Sequence, residues 1–157
     1  MLPLARPTIS SVWSRTSRLP FGKRLFSRFL ARMVPYSGSI GAAVEALGDG
    51  RSRVALRDRR AVRNHLGSIH AVALVNLGEL ATGLAVMHAV DGVGRGIVTT
   101  LKMDYFKKAR GTITATCAIE MPSAPGTHDV EAIAHLHDAA GVEVARATAT
   151  WRIDLPA

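Results

Sequence analysis

The spacing of hydrophobic positions changes several times along the chain, and each change marks an element. From Pro20 the apolar residues Phe21, Leu25, Phe26, Phe29, Leu30 and Met33 recur at helical spacing, with Lys23, Arg24, Arg28 and Arg32 between them. This pattern predicts a basic amphipathic helix that Pro35 stops. Ser39–Leu47 alternates and places Ile40, Ala42, Val44 and Ala46 on one face of a strand. Gly48-Asp49-Gly50 reads as a turn, and Arg51–Arg57 alternates Arg with apolar residues as a half-exposed strand does. Asp58–Gly67 is polar and irregular.

Ile69–Val90 is the most apolar stretch, with Ser68 as its expected N-cap. Its length suits a membrane span, but Asn76 and Glu79 lie at its middle. A carboxylate there is costly in lipid, so the stretch reads as the buried helix of a folded domain. Four more strands follow: Gly96–Phe106, Thr112–Met121, His128–Asp138 and Val142–Asp154. The third puts Val130, Ala132, Ala134 and Leu136 on one side. A helix apolar nearly all round needs a sheet that curls about it. The expected class is therefore α+β: about six antiparallel strands wrapped around one long helix, plus the N-terminal amphipathic helix. Six strands leave part of the helix uncovered, which implies at least a homodimer, or a dimer of dimers.

Composition and charge refine this picture. A chain of 157 residues, 48% hydrophobic, is globular, with a basic segment over residues 1–35 and the main domain over 36–157. The net charge of +8 first suggests nucleic acid. However, residues 1–33 hold seven basic side chains and no acid, whereas 34–157 hold 13 basic against 12 acidic. The body is nearly neutral and carries no nucleic-acid motif, so no nucleic-acid partner is expected. Met1–Ser17, rich in Ser and Arg, has the composition of an organellar transit peptide. Residues 20–33 have the character of a membrane-surface helix, but the simpler reading, adopted here, packs that helix on its own domain with a solvated basic face. The single cysteine, Cys117, excludes an internal disulfide and suits a reducing, cytoplasmic compartment.

The candidate chemistry centres on the long helix. Asn76, Glu79, Thr82 and Gly83 form a small or polar stripe that could face a cavity, because a buried carboxylate requires either a partner or a function. No metal ligand set is read from the sequence. His135-x-His137 shares its strand face with Asp129 and Glu131 and reads as a solvated surface, and Gly92-x-Gly94-x-Gly96 reads as a turn.

Just before the helix, Asn64-His65-Leu66-Gly67-Ser68-Ile69-His70 has the form Asn-x-x-Gly-x-x-His, with Glu79 nine residues after His70. This segment resembles the hotdog-fold acyl-CoA thioesterases, especially the phenylacetate-pathway type. There Asn-x-x-Gly-x-x-His-Gly-Gly precedes the buried helix and a catalytic carboxylate follows at the same spacing. Met103–Gly111, hydrophobic then basic then Gly, is similar to that family's strand-and-turn segment, and the resemblance covers about Ser39 to Asp154. It also extends to a thioesterase-like subfamily with an extra N-terminal helix. Two positions depart from the pattern: His-Gly-Gly is His70-Ala71-Val72, and the usual Asp is Glu79.

The resemblance implies hydrolysis of an acyl-CoA, with coenzyme A as part of the substrate and no resident cofactor. Glu79 would be general base or nucleophile, Asn64 would orient the water or the carboxylate, and His70 would support the loop. The first helical N–H groups, of Ala71 or Val72, would polarise the thioester carbonyl. Gly67, Asn76, Thr82 and Gly83 would line the substrate path. Arg59, Arg60, Arg63, Lys107, Lys108 and Arg110 would form a basic rim for the coenzyme A phosphates. Two alternatives accompany this reading: an acyl-CoA-binding protein without turnover, and a hydratase or dehydratase pairing His65 with Glu79.

Overall fold

In the computed structural model, which describes residues 7–156, three N-terminal helices precede the sheet: α1 (Ile9–Thr16), α2 (Gly22–Met33) and α3 (Pro35–Gly38). Of the Ser/Arg-rich start, residues 1–6 lie outside the described residues. The remainder forms α1, closed by a Thr8–Ser11 capping box. Trp13 of α1 meets Phe26 of α2 edge to face, with ring centroids 5.0 Å apart. Phe26 and Leu30 are buried in the same core cluster as the sheet, so one face of α2 packs on its own domain. Phe21, Leu25 and Met33, placed by spacing with the apolar residues of this helix, are exposed.

The strands are β1 (Ala43–Gly48), β2 (Arg51–Leu56), β3 (Arg95–Tyr105), β4 (Ile113–Ala118), β5 (Gly126–His137) and β6 (Glu143–Leu155). They form one sheet in the order β1-β2-β4-β5-β6-β3, with every neighbouring pair antiparallel. The expected strand from Ser39 is shorter than its alternation suggests. Pro35–Gly38 is a helical turn, and Gly41 has φ +64°, so pairing starts only at Ala43. A register shift between Val44 and Ala46 then makes Leu47, not Ala46, the second buried residue of β1.

The long helix α4 (Ala71–Ala89) runs through the concave side of the sheet. It is long and apolar enough to cross a membrane, yet Leu77, Ala81, Ala85 and Val86 are completely buried inside the domain. The sheet residues facing it are small: Ala115, Ala132, Ala134, Ala145, Ala147 and Ala149 have no exposed surface. Close approach follows. A Cβ built on Gly78 would lie 2.5 Å from Cβ of Ala147, so only a residue without a side chain fits there. The two sheet edges differ. At β1, the Ser27 hydroxyl of α2 accepts the Val44 N–H at 2.9 Å. At β3 no described element covers the outer edge, and Ile97 and Tyr105 are 65% and 48% exposed.

Candidate active site

Glu79 sits on α4 where the N-terminal helices cross it. Its half-buried carboxyl borders an apolar cavity of ≈ 200 Å³ walled by Ile9, Leu30, Val34, Leu84, Met87 and Trp151. Among the described residues, no side chain or backbone group donates a hydrogen bond to this carboxyl. Burial alone pushes its pKa up from the ordinary carboxylate value. Gly83, one turn on, keeps the cavity open. A Cβ there would stand 3.2 Å from the Trp151 ring and 3.7 Å from Oε1 of Glu79.

The start of α4 is built by the Asn64–His70 segment. Oδ1 of Asn64 accepts the N–H groups of Leu66 (2.9 Å) and Ser68 (3.2 Å), and Nδ2 donates to the Ser68 hydroxyl (3.0 Å). Gly67 takes φ +69° to close this turn. All the described polar contacts of the Asn64 side chain serve the turn, so within one chain it shapes the loop that leads into α4. The N-cap is His70, not Ser68, because the chain remains extended through an Arg63–Ile69 bridge before turning into the helix. Nδ1 of His70 accepts the Val72 N–H at 3.1 Å, which places the neutral ring's proton on Nε2. Of the two expected carbonyl donors, Val72 is thus occupied. The Ala71 N–H has no partner among the described residues.

Two clefts flank this helix start. One, of ≈ 340 Å³, holds Asn64, Ala71, Lys107 and Lys108 together with Tyr105 and Phe106. The other, of ≈ 320 Å³, holds Arg63, His70, Val72 and Asn76. Neither shares a wall residue with the Glu79 cavity. Glu79 is also eight residues beyond Ala71, about 12 Å of helix rise. One chain therefore does not bring the carboxylate and the helix start to a common carbonyl, although the sequence placed them in one site. His65 is exposed on the Asn64 turn and likewise does not reach the Glu79 cavity within the chain.

The remaining expected residues divide. Thr82 is completely buried, donates to the Glu79 carbonyl at 3.0 Å and accepts the Trp151 indole N–H at 3.3 Å. It fixes the cavity wall and does not line the cavity. Asn76 donates from Nδ2 to the Tyr36 carbonyl at 3.2 Å, which ties α3 to α4, while its buried Oδ1 has no partner among the described residues. Arg59 is exposed, and its guanidinium donates to the Ile40 carbonyl at 2.9 Å, which holds the turn before β1. Arg63 pairs with Asp58 at 2.6 Å, and this hydrogen bond lowers the Asp58 pKa. Arg60, Lys107, Lys108 and Arg110 are exposed.

Two residues of the site were given no role in the sequence, although Tyr105 lies in the Met103–Gly111 segment. Tyr105 donates from its hydroxyl to the Ala71 carbonyl at 3.1 Å and braces the first turn of α4. Trp151 faces Gly83 from β6. Away from the site, burial pushes the Cys117 thiol up to about 12, so the thiolate is absent at neutral pH. His135 hydrogen-bonds Glu143 at 2.7 Å, within an ion pair of Glu143 with Arg146. A cleft of ≈ 530 Å³ over β1, β2 and β4 contains none of the candidate residues.

Solved structures share this architecture. The protein designated genomics APC5556 is 26% identical, with 94% of this chain and 98% of that one covered at a TM-score of 0.81. A Pseudomonas aeruginosa protein, PA5026, described as of unknown function and a "Probable Thioesterase", is 22% identical over 87% and 97% at 0.74. The phenylacetic acid degradation protein PaaI from Thermus thermophilus is 23% identical over 77% and 99% at 0.64. No curated protein matches the sequence. The hotdog fold expected from the Asn64–Glu79 segment is thus the one observed. A family model matches residues 22–153, and the chain belongs to that family, described as Domain of unknown function (DUF4442).

Proposed function

We propose that this protein is an acyl-CoA thioesterase whose site is completed between two copies of the chain. The observation that carries this reading is Glu79: a carboxyl with a raised pKa, with no hydrogen-bond donor among the described residues, at the edge of an apolar cavity. An unpartnered carboxylate in such a place costs stability and is explained by use. Thioesterase descriptions attached to proteins of the same fold support the reaction class.

In the proposed reaction the acyl group enters the ≈ 200 Å³ cavity and the thioester carbonyl carbon stops beside Glu79. The carboxylate takes a proton from water while the water oxygen adds to the carbonyl carbon. The tetrahedral oxyanion is held by the Ala71 N–H at the start of a partner's α4, with His70 and Tyr105 fixing that turn. Collapse breaks the C–S bond, and the coenzyme A thiolate leaves and is protonated. Direct attack by the carboxylate, forming a mixed anhydride that water then hydrolyses, uses the same groups.

Pairing of the open β3 edge with its counterpart in a second copy would bury the exposed Ile97 and Tyr105 and bring each helix start toward the other chain's carboxylate. Lys107 and Lys108, beside Tyr105 and Phe106 at the helix start, are placed for the coenzyme A phosphates, with Arg60 and Arg110 further out. A reducing, cytoplasmic setting fits the single buried cysteine.

Hydrolysis of a panel of acyl-CoA esters, followed by thiol release, tests the proposal. Turnover by the wild-type protein and its loss in Glu79→Gln is the expected result. Tight acyl-CoA binding without hydrolysis would instead identify a binding protein, and hydration of crotonyl-CoA a hydratase.

A further inference from the structure

The N-terminal helices carry a surface that the proposed chemistry does not use. α2 packs inward through Gly22, Phe26 and Leu30. Outward, Phe21, Arg24, Leu25, Arg28 and Arg32 recur at steps of three and four residues, so they form one stripe, and all five are exposed. Leu19, in the turn before α2, is 56% exposed and Phe21 is 76% exposed. Phe21 also adopts φ 61°, ψ 5°, the left-handed region that is unfavourable for a bulky residue. Its ring lies 5.8 Å from the Arg24 guanidinium and contributes nothing to the core. The backbone serves the start of α2, since the Phe21 carbonyl accepts the Arg24 and Leu25 N–H groups at 3.0 and 3.1 Å, but the exposed ring has no place in the core.

Charge indicates what the stripe meets. Arg24, Arg28 and Arg32 lie on the stripe itself, Arg15 and Arg18 are exposed in the segment before it, and the first acidic residue of the chain is Glu45. None of these five forms an ion pair among the described residues. A second copy of this face would repel it. A nucleic acid would satisfy the cations but leave Leu19, Phe21 and Leu25 in water, since phosphate contacts use polar donors. An anionic bilayer satisfies both, because phosphate and carboxylate headgroups meet the cations while the apolar side chains enter the headgroup boundary.

We propose that this face docks on an anionic lipid surface, with Leu19, Phe21 and Leu25 inserted and Arg24, Arg28 and Arg32 at headgroup level. The same helices supply Ile9, Leu30 and Val34 to the Glu79 cavity, so docking sets that cavity beside the bilayer. The proposal stands whether or not Glu79 hydrolyses a thioester.

Co-sedimentation of the full chain with vesicles tests it, using phosphatidylcholine alone and phosphatidylcholine with about 30 mol% phosphatidylserine at roughly 0.1 M NaCl. Binding to the anionic vesicles only, reversed by high salt, is expected. Each cation contributes about fivefold to partitioning, so Arg24→Gln with Arg28→Gln weakens binding about twenty-fivefold. Phe21→Asn tolerates the left-handed backbone while removing the ring, so it lowers vesicle binding without lowering the unfolding midpoint. Equal binding to neutral vesicles, no binding to either, or binding unmoved by these substitutions overturns the proposal. So would a DNA duplex captured more tightly than the anionic vesicles.

Discussion

Replacing Glu79 by Gln changes charge and little else, and it should move stability and activity in opposite directions. The carboxyl has no hydrogen-bond donor among the described residues, and burial raises its pKa above the ordinary value of 4.5. A carboxyl whose folded pKa is raised favours folding while protonated, and this contribution disappears as pH climbs through the folded pKa. Below about pH 4.5 the wild type and Glu79→Gln should therefore differ little. Above it the wild type loses stability relative to the variant by up to about 1.4 kcal/mol per pH unit until Glu79 is ionised in the folded state. At neutral pH the variant should thus be the more stable protein. Its kcat for acyl-CoA hydrolysis should fall by about 10²–10⁴, the range of a lost general base. Urea unfolding at a series of pH values and thiol release from acyl-CoA measure the two effects. A variant less stable than wild type at pH 7 would show that a hydrogen-bonded, not a stranded, carboxylate occupies the site. Retained turnover would remove Glu79 from the chemistry.

Two further substitutions probe the cavity and the packing around it. Gly83→Val puts methyl groups between Trp151 and Glu79, in a space of ≈ 200 Å³. It should lower kcat/KM for the longest accepted acyl-CoA about 10–100-fold while sparing shorter ones, as measured across an acyl chain-length series. Gly78→Ala, ordinarily favourable in a helix, should here cost about 1–3 kcal/mol in urea unfolding because its methyl meets Ala147 at 2.5 Å. A stabilised Gly78→Ala would mean that the helix and sheet are not held this closely.

Much of the fold was legible because its signals are local. The alternation of Val130–Leu136 placed Ala132, Ala134 and Leu136 inside β5, and Ile69–Val90 could only be a buried helix once Glu79 argued against lipid. The misread positions depend on features that spacing does not carry. A bulge reversed the alternation at Ala46 and Leu47, and a tertiary bridge moved the helix start from Ser68 to His70. The stripe Asn76, Glu79, Thr82 also separates for a geometric reason. Steps of three residues rotate by about 60° short of a full turn, so Asn76 and Thr82 point roughly 120° apart. Asn76 faces Tyr36, Glu79 the cavity, and Thr82 Trp151. Tyr105 and Trp151 reach α4 through the curvature of the sheet, which no sequence window contains.

The central claim, that Glu79 of one chain acts with the α4 start of another, has a direct test in mixed assemblies. Ala71→Pro removes the N–H proposed to hold the oxyanion, and Pro is well tolerated at the first helical position after an extended residue such as His70. Glu79→Gln and Ala71→Pro should each be inactive alone. Unfolded and refolded together in equal amounts, they should recover about one quarter of wild-type activity, because half the dimers are mixed and each mixed dimer holds one intact site. No recovery despite mixed-dimer formation would contradict the account and place the reaction within a single chain.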